Sequence, residues 1–207
     1  MRIGLDASLL GRGGGSAVYA EHLLPELARL APEHALVLWC ARRAAAPAAR
    51  RLRLPRALVV APGPLGRFLD KLGRTTWGNP LSIETLAGPL DLFHGLNYFL
   101  PAQRGKAALV VTVHDLSALR RSEWHPPARA LAYQIALRRT ARTVEHIITD
   151  SEAIRAELLE ALGIPPGQVT AVPLAASPGF WPRGPAELKP ALDRWDLSPG
   201  GYLLFAG

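Results

Sequence analysis

At 207 residues the chain is long enough for one large domain or one and a half ordinary ones. Its 49% apolar and 20% charged residues exclude disorder and a fibrous repeat, and no apolar run approaches the roughly 18 residues of a membrane span. The formal charge of +7 includes only three lysines, Lys71, Lys106 and Lys189, among 24 basic residues; that arginine bias reads as coding-DNA composition and selects no partner, although it favours phosphates or an anionic membrane surface.

Arg2 to Leu10 alternates, with Ile3, Leu5, Ala7 and Leu9 on one face, and reads as a first strand. Asp6 interrupts it and no cleavage site follows, so a signal peptide is not expected and the chain is expected to be cytoplasmic. GRGGGSAVY comes next. Gly11, Gly13, Gly14 and Gly15 permit backbone conformations closed to other residues, and Ser16 is a candidate N-cap for a helix carrying Tyr19, Leu23 and Leu27, with Pro25 expected to kink it. Such a turn presents free N–H groups and the positive end of a helix to an anion, here a phosphate; a simple tight turn is the other reading. No Gly-Lys-Ser/Thr follows, so it is not a P-loop. The second strand, Ala35 to Cys40, ends in Ala41, Arg42 and Arg43 where a dinucleotide fold would place a ribose-binding acid. With Cys40 the single cysteine, there is no disulfide framework and no Cys-based metal site.

Ala41 to Arg56, rich in Ala, Arg and Pro, reads as a surface connection, followed by a strand at Leu58 to Ala61 and helical material over 65–77 and 81–86. In LDLFHGLNYFLP a strand at Leu92 to His94 opens into a loop bearing Asn97, Tyr98 and Phe99. Then VVTVHDL, Val110 to Leu116, reads as a strand buried on both faces that delivers His114 and Asp115 to its carboxyl end. Ligands of open α/β sheets sit there, so the pair is a candidate for chemistry; the alternative is that His114 caps the strand and Asp115 bonds nearby amides. If the two strands are neighbours, His94, Asn97 and Tyr98 meet His114 at one edge, in a crevice suited to a sugar. The alternative there is an ordinary polar loop with a packed tyrosine.

Arg120, Arg121, Glu123 and Trp124 follow, and Pro126 and Pro127 start a helix to about Thr143. Arg138 and Arg142 share a face of it beside Arg139, and could touch anionic lipid or form a solvated face. His146 to Thr149 is a strand; Ser151 caps the helix EAIRAELLEALG, which Gly163 and Pro165-Pro166 stop. A strand at Val169 to Val172, a loop PLAASPGFWP and a helix over Ala186 to Trp195 lead to GYLLFAG, an apolar strand with no covering helix after it, so the sequence reads as cut.

GRGGGSAVYAEHL, DLFHGLNYFLP, VVTVHDLSAL and HIITDSEAIRAELLEALGIPPGQVTAVPLAASPGF together resemble, in order and over nearly the whole chain, the N-terminal half of family 4 glycosyltransferases. The resemblance implies an α/β fold of the GT-B type: a Rossmann-like parallel sheet with helices on both faces, an acceptor-binding domain over residues 1–180, and over 181–207 a linker with the first strand of a donor-binding domain. The Arg/Lys pair and Glu-x7-Glu motif of that second domain are missing. Glu152 and Glu160 have the spacing but lie in the wrong domain, and exposed glutamates recur freely on helix faces.

Residue by residue, the resemblance puts Gly13, Gly14 and Gly15 near the donor phosphates. It puts His114, with Asp115 beside it, at the reacting centre, and His94, Asn97, Tyr98 and Arg120 on the acceptor side. It implies retaining transfer of a mannose-like hexose from a nucleoside-diphosphate sugar, GDP-mannose being one candidate, to a glycan or lipid-linked acceptor. It implies no metal, no cofactor besides the donor, and little activity for this half alone; from the sequence itself no nucleic-acid partner is expected, and the cytoplasmic chain has peripheral contact at the inner membrane surface open to it. A different class of function, a non-catalytic module that binds a glycan or partner chain in the same crevice, stays open. A nicotinamide-dependent oxidoreductase is disfavoured by the missing acid after the second strand. Nucleic-acid binding ranks last, because no recognised motif accompanies the charge.

Overall fold

The computed structural model describes residues 1–42, 44–64, 83–98, 100, 105–177 and 179–205. They divide into two compact units, Met1–Leu174 and Ala175–Gly207.

The first unit is a seven-stranded parallel sheet: β1 (Arg2–Asp6), β2 (Ala35–Trp39), β3 (Ala57–Val60), β4 (Leu92–Gly95), β5 (Ala108–Val113), β6 (His146–Thr149) and β7 (Val169–Ala171). The spatial order is β3-β2-β1-β4-β5-β6-β7, every neighbouring pair parallel. Parallel neighbours need crossovers, and helices lie in the connections from β1 to β2, β2 to β3, β3 to β4, β5 to β6 and β6 to β7: α1 (Gly15–Leu30), α2 (Ala45–Arg51), α3 (Ile83–Ala87), α4 (Ser117–Arg120) with α5 (Pro127–Thr143), and α6 (Glu152–Leu162). The order of winding reverses between β1 and β4. In doubly wound sheets a crevice opens at that point, outside the carboxyl ends of the strands.

Helices cover both faces, and the alternation within each strand shows it. Leu36 and Leu38 of β2 pack with Leu5, with Ala20, Leu24 and Ala28 of α1 and with Ala45, Ala46 and Ala49 of α2. Val37 and Trp39, pointing the other way, pack with Ile83 and Ala87 of α3 and with Phe93. Val111 and Val113 of β5 join Ile147, Leu158 of α6, and Tyr133, Leu137 and Ala141 of α5. Gly4 is required by this packing. A Cβ built there would lie 2.6 Å from Phe93 Cδ2 and 2.7 Å from Leu90 Cδ1.

Several sequence expectations change. The first strand stops at Asp6, not Leu10, because the Asp6 carboxylate accepts from the Ser8 amide (3.0 Å) and turns the chain. VVTVHDL is strand only to Val113, for Asp115 makes the same turn onto the Ser117 amide (2.9 Å). The N-cap of α1 is Gly14, not Ser16: Gly14 carries φ 86° and ψ 168°, a region closed to side-chain-bearing residues, and its carbonyl already accepts from Ala17 and Val18. Pro25 lies within α1, which continues to Leu30. The surface connection over 41–56 contains α2, because Ala45, Ala46 and Ala49 form a flat methyl face that the sheet buries. The helix expected over 65–77 lies outside the described residues, as do Phe99 and residues 206–207.

In the second unit α7 (Pro185–Arg194) opens with the Gly184 amide donating to Glu187 Oε2 (3.2 Å), runs through Pro190 and carries a Lys189–Asp193 ion pair (2.9 Å). The strand expected in GYLLFAG does not form over 202–205. A strand needs a ladder, and among the described residues none pairs with this segment, where Leu203, Leu204 and Phe205 are exposed.

Candidate active site

Four carboxyl-end loops meet around the reversal point. The loop after β1 brings Gly11, Gly13 and Gly14, all at positive φ, and exposes Gly13, Gly14 and Gly15 with no heavy atom within 4 Å of where a Cβ would stand. Among the described residues no side chain caps the amino end of α1, which leaves its first N–H groups open to an anion.

The end of β4 brings His94, and the register His94↔Val110 sets it across from β5. His94 is 8% exposed; its Nε2 shares a 2.9 Å hydrogen bond with Thr112 Oγ1, and Tyr19 of α1 reaches the same hydroxyl at 3.5 Å. Burial, and then the charge of His114, push the His94 imidazole down to about 4, so it is neutral near pH 7. Tyr19 is raised by burial foremost.

His114 stands just beyond β5. Its Nδ1 lies 2.8 Å from Asp150 Oδ2 and its Nε2 3.1 Å from the Leu96 carbonyl oxygen, while the Tyr19 ring meets it edge-on with centroids 4.8 Å apart. Asp115 beside it is exposed, and its Oδ1 accepts both the amide and the hydroxyl of Ser117 (2.6 Å), whose oxygen accepts in turn from His125 Nε2 at 2.9 Å. The alternative use of Asp115, bonding to nearby loop groups, is thus met by one of its oxygens.

Of the acceptor-side candidates, Asn97 Oδ1 accepts from the amide of Tyr98 at 2.7 Å. The Tyr98 ring meets Tyr133 of α5 edge-on at 4.1 Å and its carbonyl accepts from Thr140. Burial, and then Asp115, push the Tyr98 phenol up to about 12, with Arg12 of the glycine loop and Arg129 of α5 acting the other way. The Tyr133 phenol is likewise raised, by burial first and then by Asp115, so both tyrosines stay protonated. Arg120 is turned to Glu160 of α6 in an exposed ion pair. Glu152 pairs with Arg155, so both glutamates of the coincidental spacing are used on the helix surface. Among the described residues no group of three His, Cys, Asp or Glu is placed to hold a metal ion, and no helix is long and apolar enough to cross a membrane.

The structure thus gathers the glycines, His94 and His114 at the edge of three neighbouring strands. It adds Tyr19, Thr112 and Asp150, which sequence reasoning missed. In the sequence Tyr19 shares a helical spacing with Leu23 and Leu27, which carries no sign of a polar role. Asp150 had a signal: HIITD ends in an acid as VVTVHD does, and two parallel strands ending in register bring such residues together.

A family profile described as Glycosyltransferase Family 4 matches residues 13–178. Over 116 residues, 56% of its length, the chain is 32% identical to O-antigen chain mannosyltransferase B of Escherichia coli, of which it covers 30%. Among solved structures, HepE of Anabaena in complex with UDP-glucose matches with a TM-score of 0.57 at 15% identity, over 94% of this chain and 49% of that one. The same protein in complex with UDP gives 0.59 at 16% identity, over 94% and 50%. The chain therefore spans about half the length of these solved relatives, and the likeness to them is one of fold.

Proposed function

Because the chain belongs to glycosyltransferase family 4, we propose that it forms the acceptor side of an enzyme that moves a mannose-like hexose, with retention, from a nucleoside-diphosphate sugar to a glycan or lipid-linked acceptor. The observation that carries this reading is the meeting of an uncapped glycine-rich helix start with His114 and His94 at the reversal point of the sheet. The mannosyltransferase relative supports the hexose, and GDP-mannose is the first donor to test.

In this reading the outward N–H groups at Gly13 to Gly15 approach the donor diphosphate. His114 lies at the transferred sugar, and His94, Asn97 and Tyr98 line the acceptor side. Retention needs no protein nucleophile here: positioning and stabilisation of the departing diphosphate carry the step. In the whole protein His114→Ala is expected to lower turnover well over tenfold while leaving the fold intact by circular dichroism. Near-normal turnover removes His114 from the reacting centre.

We also propose a cytoplasmic protein in peripheral contact with anionic lipid through α5. Leu131, Ile135, Arg138 and Arg142 follow one another at four, three and four residues along one stripe, and all are exposed. The helix contains four arginines and no acid, and Trp124 stands exposed just before it. An apolar half and a basic half on one stripe suit the headgroup boundary. Sedimentation with vesicles containing phosphatidylglycerol, but not with purely zwitterionic ones, is the expected result, lost in Leu131→Gln/Ile135→Gln. Equal recovery with both vesicle types rules the contact out.

A further inference from the structure

Among the described residues the one side chain that the Asp150 carboxylate bonds to is His114. Val113 pairs with Thr149, so His114 and Asp150 are each one residue past the ends of neighbouring parallel strands. Asp150 also precedes a helix, where an acid often serves as cap. That duty is taken by Ser151, whose hydroxyl accepts from the Ile154 amide at 3.2 Å. Among the described residues no Arg or Lys pairs with Asp150; its ion-pair partner is His114, both side chains 16% exposed.

The contacts of His114 leave little freedom to its ring. A carboxylate oxygen and a backbone carbonyl can only accept, and they face Nδ1 at 2.8 Å and Nε2 at 3.1 Å. A neutral ring carries one N–H and would set a lone pair against one of the two oxygens. The doubly protonated ring satisfies both. The edge-on Tyr19 ring fixes its plane.

We propose that Asp150 is a positioning residue that holds His114 as an imidazolium, with Nε2–H directed toward the Leu96–Tyr98 loop of the acceptor side. This rests on the reading that His114 lies at the reacting centre. The cation then stands where a nucleoside diphosphate departs, and Nε2–H, held by the Leu96 carbonyl in the absence of substrate, is a donor that a sugar hydroxyl can take over. Among the described residues the titratable groups facing the ring are Tyr19 from α1, His94 from β4, Asp150 after β6 and the adjacent Asp115. Of these only the carboxylates can stabilise its charge, and Asp150 alone touches it.

The test is a double-mutant cycle in the whole protein, read as kcat, donor KM and the pH profile of kcat. Asp150→Asn is expected to lower kcat about tenfold or more with KM within about twofold, and to make activity fall away at lower pH as pH rises. In a His114→Ala background the same change should move kcat less than about twofold. A wild-type kcat and pH profile in Asp150→Asn, or costs that simply multiply, overturns the proposal. Unchanged turnover in His114→Ala alone instead overturns the functional reading beneath it. A second measurement needs no variant: imidazole 1H–15N spectra of the wild-type protein at pH 7 should show protons on both nitrogens of His114, and a ring with one proton refutes the assignment.

Discussion

His94 offers a quantitative test of the electrostatics around the crevice. It is 8% exposed and its imidazole is pushed down to about 4, against about 6.5 for an unperturbed histidine. The unfolded chain therefore takes up a proton that the folded chain refuses as pH falls through 6.5. The sign follows: between about pH 6.5 and pH 4 the unfolded state binds more protons, so stability is lost on acidification and regained as pH rises. A gap of about 2.5 units corresponds to about 3 kcal/mol in all, of which about 2 kcal/mol is already lost at pH 5. His94→Gln keeps a polar atom near Nε2 for Thr112 but cannot titrate. Urea unfolding at pH 7.5 and pH 5 should show the wild-type chain losing about 2 kcal/mol more than the variant. Losses that agree within about 0.5 kcal/mol would refute the placement of a neutral, desolvated imidazole here.

Three further outcomes are expected. Gly4→Ala, which drives a methyl into Phe93 and Leu90, should cost about 1–3 kcal/mol, read as a lower urea midpoint with unchanged slope. Ser151→Ala removes the acceptor for the Ile154 amide and should cost about 1 kcal/mol by the same measurement. Gly14→Ala forces a side-chain-bearing residue into φ 86°, ψ 168°, costing about 1–3 kcal/mol, and should raise the donor KM in the whole protein because the outward N–H groups shift.

Signals that are local survived the passage from sequence to structure. The strand His146–Thr149, the Ser151 cap and the stop at Gly163, which is left-handed at φ 62°, are written in adjacent residues and hold as read. The β4 and β5 pairing followed from consecutive parallel strands lying side by side. The rest depended on what a residue meets in space. Ala45, Ala46 and Ala49 look like surface composition until the sheet buries them. Tyr19 sits at a helical spacing that suits a core face, yet its hydroxyl and ring are used by Thr112 and His114. Asp150 is 36 residues from His114, and only the strand register joins them. Residues 202–205 have the composition of a strand, but among the described residues no neighbour makes them one.

The pairing of β1 with β4 bears on how this molecule is assembled. Ile3 lies beside Leu92, 89 residues on, whereas β1 to β3 and β4 to β7 are each wound from near neighbours in the chain. Closing a loop of that length costs about 4 kcal/mol of chain entropy before any contact across it is gained. Gly13 to Gly15 and Tyr19 belong to one winding; His94, Thr112, His114 and Asp150 belong to the other. The crevice therefore exists in neither winding alone, and the Tyr19 contacts with Thr112 and His114 form only at the step that zips β1 against β4. That long-range closure is the slow kind of event in folding, so the crevice is expected to be among the last parts of the domain to be made and the first to be lost when the two windings separate.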